Sequence, residues 1–241
     1  NSLSEFPSEL DLSSGTNFGS CWGDCNSLTQ FPGALDLSSG SNFSYCWWNC
    51  SSLTEFPGTL DLSSGTNFYA CWRSCTSLEN FPSELDLSSG TEFTGTWRSC
   101  SGLTSFPALD LSSGTNFNGT WMADTALVSF GACNMNASRY FGYAWNSCTA
   151  LTTFPAGVFD DWAPTSVTSA CFSQAWGDCN VLTEQSVENI LLSISASGVH
   201  PTSDGTASGT LIANREITIG ATNPNVNVDN LSASNRAACT A

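Results

Sequence analysis

Twelve cysteines, one histidine and 21 acidic residues are the groups in this 241-residue chain whose types could do chemistry. Nucleophilic catalysis by Ser or Cys needs a general base within hydrogen-bond reach. The single histidine, His200, stands beside Pro201 in the stretch from Gly198 to Gly205, whose composition reads as exposed loop. With no Lys in the chain, a phosphate-binding loop lacks its cation, and no H-E-x-x-H motif is present. Asp160 and Asp161 are adjacent carboxylates near Trp162. Neighbouring loop residues point apart, whereas acid–base cleavage of a glycosidic bond needs two carboxyls flanking it. The expectation is a non-enzymatic protein with no cofactor.

The cysteines recur as C-x-x-x-C at Cys21/Cys25, Cys46/Cys50 and Cys71/Cys75. Further along, the first slot becomes Thr96, Thr120, Ala144 and Ala175, while the second holds Cys100, Asp124, Cys148 and Cys179. Bonded partners would be lost together, so independent loss favours buried thiols used as small core residues. A few disulfides or a metal are the alternatives, the first strained within one helical turn and the second lacking histidine ligands. A second column, Asp11, Asp36, Asp61, Asp86 and Asp110, puts like charges about 5 Å apart if the copies stack at strand spacing. Each stands two residues before a Ser-Ser-Gly turn, and an Asx-type turn is the expected role. A row of calcium ions on carboxylate, hydroxyl and carbonyl oxygens is the alternative.

These columns exist because the whole chain repeats. Leu3, Leu28, Leu53, Leu78 and Leu103 recur every 25 residues, and Leu127, Leu151 and Leu182 follow at 24, 24 and 31. Trp22, Trp47, Trp72, Trp97, Trp121, Trp145 and Trp176 keep the same period. A repeat of this length is the signature of a solenoid. Within one unit, Leu53 to Phe56 reads as a short strand stopped by Pro57. Leu60-Asp61-Leu62 reads as a second extended piece with both leucines inward. After the Ser63-Ser64-Gly65 turn, Thr66 reads as the N-cap of a short helix over residues 67–75. Phe68, Cys71, Trp72 and Cys75 then fall at i, i+3, i+4 and i+7 and form one buried stripe. The period stops near Thr183. Beyond it a helix over residues 186–195 capped by Thr183 or Ser186, short strands at 210–212 and 216–219, and a final helix at 232–241 are expected. At the other end Leu3 and Phe6 begin a strand with no helix before it, which leaves an open coil for self-association.

The W-x-x-C-x-S-L-T-x-F-P runs, at Trp47 to Pro57 and Trp72 to Pro82 with Glu79 in the second Thr slot, resemble the BspA-like leucine-rich-repeat surface proteins of bacteria, with mycoplasma and phage-encoded relatives. Trp stands where that family more often has Phe. The resemblance implies an α/β solenoid of about eight 24- to 25-residue coils (strand, turn, short helix) over residues 1–185, closed by a C-terminal α+β capping region over 186–241. It further implies a non-catalytic recognition or adhesion module that binds a protein or glycan at an extracellular, cell or virion surface. A structural part of a virion, such as a tail fibre or spike, or of an extracellular filament is the alternative.

Charge narrows the partners. Five Arg against 21 Asp and Glu give a net charge of −16, a repulsive field for nucleic acid or an anionic membrane. No apolar run approaches the roughly 18 residues that span a bilayer, so no membrane insertion is expected. The binding candidates are the outward positions just after each Phe and each Trp. There the residues vary from unit to unit and bring Tyr45, Trp48, Tyr69, Arg73, Arg98, Met122 and Tyr143 toward one patch. Aromatic and Arg side chains of this mix dominate binding hot spots.

Overall fold

The computed structural model describes residues 3, 4, 6, 10–167, 170–201 and 207–208. The repeats coil into a solenoid whose successive turns are joined by parallel backbone pairing. One ladder runs through the Leu-Thr-x-Phe segments. The amides of Thr54, Glu79, Thr104, Val128, Thr152 and Thr183 each donate to the carbonyl one coil earlier, at 2.8–3.5 Å. Within it, only Ser105–Phe106 (β1) and Ser129–Phe130 (β2) are long enough to be strands, paired parallel with Phe106 opposite Phe130. In the other described coils this segment contributes single bridges such as Gln30 with Glu55. In most coils the following residue is Pro, which has no N–H to donate, and the ladder ends there; after Phe130 that place is taken by Gly131. A second column of bridges links Asn17, Asn42, Asn67, Glu92, Asn116 and Tyr140 in order.

The expected helix over residues 67–75 is absent, and so is its counterpart in every described coil; among the described residues the only helix is Glu184–Ala196 (α1). The segment is instead a run of tight turns. Cys71, Arg73 and Cys75 donate to the carbonyls three residues back. Between them, Phe68, Ala70, Trp72 and Ser74 donate at 2.8–2.9 Å to Glu92, Thr94, Thr96 and Arg98 of the next coil. Two residues per coil are left-handed, at Phe+2 and Trp+2, as in Ala70 (φ 50) and Ser74 (φ 63). Thr66 caps nothing; its hydroxyl donates to the Ser41 carbonyl at 3.2 Å.

Spacing explains the outcome. Packed helices stand about 8–10 Å apart, whereas strands pair at about 4.8 Å. A coil paired to its neighbours on the strand side could hold a helix opposite only by splaying. Here the turn side is also at strand spacing, and the cost of about 1–2 kcal/mol for each left-handed non-Gly residue is offset by bonds between coils. The inward stripe survives because turns of four residues place Phe, Cys, Trp and Cys inside at the same offsets that a helix would.

That close spacing stacks the aromatic rings. Adjacent tryptophans from Trp22 to Trp176 lie with ring centroids 5.0–5.6 Å apart and planes within 17°. Phe18, Phe43, Phe68, Phe93, Phe117, Phe141 and Phe172 form a second stack beside them. Phe31, Phe56, Phe81, Phe106, Phe130 and Phe154 form a third, set edge-on against the indoles. All of these rings are buried. Leu3 and Phe6, in the coil expected to be open, are half-buried against this core, and Phe6 lies 4.8 Å from Phe31.

Helix α1 lies across the last coil. Thr183 caps it, accepting from the Ser186 amide at 3.2 Å. Its inner face carries Val187, Ile190 and Ile194 into the core. Ser186, Asn189 and Ser193 on that side serve backbone that no further coil pairs. Ser186 donates to the Thr152 carbonyl and accepts from the Phe154 amide, Asn189 donates to the Phe154 carbonyl, and Ser193 accepts from the Phe159 amide. His200–Pro201 (β3) and Ala207–Ser208 (β4) follow as an antiparallel pair. The expected strands at 210–212 and 216–219 and the helix at 232–241 lie outside the described residues.

Candidate binding groove

The chemistry-bearing columns are structural. Asp11, Asp36, Asp61 and Asp86 each accept the amide and hydroxyl of the Ser two residues on, at 2.6–3.1 Å, and Asp110 accepts the Ser112 amide. Those serine hydrogen bonds hold the Asp11, Asp36 and Asp86 carboxyls below their ordinary range. Each turn thus engages one carboxylate oxygen, Oδ1, in its own hydrogen bonds. No group of three or more His, Cys, Asp or Glu side chains gathers as a metal site among the described residues.

The eleven described cysteines are free thiols, and all but Cys21 are buried. The second-slot thiols of Cys50, Cys75, Cys100, Cys148 and Cys179 donate to the Trp carbonyl of the preceding coil at 3.0–3.1 Å. In the first slot, Thr96 and Thr120 donate their hydroxyls to the Phe carbonyls of the preceding coil at 2.8 Å. Where the first slot holds Thr, a small donor faces a carbonyl as the Cys does in the second slot, while Ala144 and Ala175 fill the first slot by size alone. Burial pushes Cys50 and Cys179 up to about 12 and raises Cys46, Cys71, Cys75, Cys100 and Cys148 well above the usual thiol value, so none is a ready nucleophile. Asp160 accepts from the Ser193 hydroxyl at 2.7 Å and serves to dock α1, while Asp161 lines a separate hollow beside Gly157.

The outward turn positions form a groove of about 330 Å³ running across four coils. Three slots build it. The Phe+2 slot is the floor: Ala70, Gly95 and Gly119 follow one another, with Tyr45 before them and Tyr143 after. The Trp+1 slot supplies one side, Arg73, Arg98 and Met122; the Phe+1 slot supplies the other, Tyr69, Thr94 and Asn118. Five of the seven candidates, Tyr69, Arg73, Arg98, Met122 and Tyr143, therefore line one concavity, brought together by turns and not by a helix face. Tyr45 and Trp48 do not line it. They continue its rim, with Tyr45 edge-on to Tyr69 at 5.1 Å and Trp48 edge-on to Tyr45 at 6.2 Å. The Tyr45 phenol is raised, mainly by its hydrogen bond with Tyr69, while the charge of Arg73 acts the other way.

Sequence reasoning missed the floor. Left-handed backbone favours Gly, but Tyr45 (φ 55) and Tyr143 (φ 57) hold the same slot with full side chains. A Cβ on Gly95 would meet only the Arg98 Cβ at 3.9 Å, and on Gly119 only Met122 atoms at 3.8–3.9 Å. Room is not what demands glycine there. The run of small residues bounded by Tyr on both sides was the available signal, and what it does is leave the groove unfilled.

Electrostatically the groove is an exception in an acidic chain. It holds two of the three described arginines. Among the described residues neither Arg73 nor Arg98 has a carboxylate within ion-pairing reach. The Arg73 Nε and the Thr94 hydroxyl are buried without a hydrogen-bond partner.

No family model matches the chain, and no curated protein matches it. A solved leucine-rich repeat protein from Bacteroides ovatus is similar at 17% identity and a TM-score of 0.37, over 68% of this chain and 44% of that one. The chain thus spans less than half the length of that protein.

Proposed function

We propose that the protein is a non-catalytic recognition module of leucine-rich-repeat type, related to the BspA-like surface proteins, that holds a protein or glycan partner at a cell or particle surface through the groove on its turn side. The observation that carries this reading is the groove itself: a floor kept small over three coils, tyrosines at both ends, and two arginines without counter-charges among the described residues. Guanidiniums without an ion pair form charge-assisted hydrogen bonds to a partner's acceptors, and such contacts dominate binding hot spots. The core columns that could have suggested catalysis are occupied by turn and coil-to-coil hydrogen bonds.

The reading is tested by probing an array of cell-surface glycans and purified surface proteins with the wild type, with Arg73→Ala/Tyr143→Ala, and with Thr54→Ala/Glu79→Ala on the strand side. Binding is expected to vanish in the first variant and persist in the second, with stability changed by less than about 1 kcal/mol in each. The opposite pattern would move the recognition surface to the strand ladder.

A further inference from the structure

We propose that the ligand of this groove is an acidic oligosaccharide, a chain of pyranose units in which a carboxylate-bearing sugar (a uronate) lies over Arg73 and Arg98; this rests on the groove being the recognition surface. Charge sets the acid. Arg73 and Arg98 stand on adjacent coils of the groove, and neither has an ion-pair partner among the described residues. The planar fork of donors on a guanidinium matches a carboxylate.

Spacing admits a sugar chain. Arg73 and Arg98 occupy one slot on neighbouring coils, and the coils repeat at about 4.8 Å, the strand spacing. Each ring of a 1,4-linked pyranose chain is comparable in length to one coil step, so a single uronate ring spans the step from Arg73 to Arg98. The walls agree. Tyr69 and Tyr143, 37% and 45% exposed at the two ends, are aromatic surfaces of the kind that pack on the apolar faces of sugars, and the amide-bearing Asn118 lies between. The net charge of −16 opposes any anion at long range. At about 0.15 M salt, however, charges beyond about 8 Å are screened and the local arginines decide.

The test is titration calorimetry at that salt with EDTA present, so that divalent ions cannot bridge two anions. The probes are trigalacturonate, its fully methyl-esterified form (same rings, no charge) and triglutamate. Trigalacturonate is expected to bind, and the ester at least about tenfold more weakly. Arg73→Gln and Arg98→Gln each are expected to weaken trigalacturonate by about tenfold or more, the loss of one charge-assisted contact. Gly119→Asn, which suits the left-handed backbone at φ 59, fills the floor and is expected to block binding while thermal unfolding stays unchanged. If that variant does not fold, the two Arg→Gln variants carry the same test. No binding of trigalacturonate, or tighter binding of triglutamate, overturns the acidic-sugar assignment. Equal binding of the ester that Gly119→Asn still blocks also overturns it while leaving the groove as the recognition surface. Binding indifferent to Gly119→Asn and to both arginine variants overturns both readings.

Discussion

Asp124 occupies a slot that the neighbouring coils fill with Cys100 and Cys148, and replacing it should change stability in a pH-dependent way. Its side chain is fully buried, one carboxyl oxygen accepts the Cys100 amide at 2.8 Å, and the other has no partner. Burial pushes this carboxyl well above the ordinary carboxylate range, with the Cys100 and Ser99 amides acting in the other direction. The folded protein therefore keeps the proton at pH values where the unfolded chain has released it. Folding binds more protons across that window, so this residue's contribution is full below the unfolded value and falls as pH rises toward the folded one, by about 1.4 kcal/mol per pH unit. The turn aspartates work in the other direction and lower down: Asp11, Asp36 and Asp86 are depressed, and their contribution is lost only as pH falls below the usual carboxylate value. In Asp124→Cys the thiol takes the place that Cys100 and Cys148 hold, donating to a Trp carbonyl, and no unpartnered oxygen remains. A gain is expected at neutral pH that shrinks by up to about 1.4 kcal/mol per pH unit as pH drops toward about 4, the ordinary Asp value, where only the roughly 1–3 kcal/mol cost of one unsatisfied buried polar atom remains. Urea midpoints followed by tryptophan fluorescence between acidic and neutral pH measure it, with Asp124→Asn as the uncharged control. A midpoint that changes with pH equally in wild type and both variants would refute the assignment of that dependence to Asp124.

Two further outcomes follow from the core. Trp97 is fully buried, with indoles 5.6 Å away on both faces and the edges of Phe81 and Phe106 at 5.1 and 4.8 Å. Trp97→Ala should cost about 3–5 kcal/mol in chemical denaturation, and a loss under about 1 kcal/mol would mean that the stack is not the core. Iodoacetamide labelling mapped by mass spectrometry should modify exposed Cys21 in the native protein while the buried described thiols react only after unfolding; early labelling of Cys75 or Cys100 would contradict their burial.

Much of the architecture was legible along the chain because a repeat states the same constraint many times over. The 25-residue recurrence of Leu and Trp marked the core columns, and the Asp before Ser-Ser-Gly announced its turn. Thr96 standing in the first cysteine slot while Cys100 persists in the second spoke against a disulfide between the two slots. The variable slots after Phe and Trp pointed to Tyr69, Arg73, Arg98, Met122 and Tyr143. Three-dimensional stacking decided the rest. An i, i+3, i+4, i+7 pattern is satisfied equally by a helix and by successive four-residue turns, and only the spacing of neighbouring coils, too close for helices, selects the turns. The groove floor was hidden for the same reason. Ala70, Gly95 and Gly119 are inconspicuous small residues when read 24 or 25 positions apart, and become a continuous channel only once pairing between coils sets them side by side. Local periodicity determines which residues go inside; the distance between layers, a property of the whole assembly, determines the backbone that takes them there and what is left open on the surface.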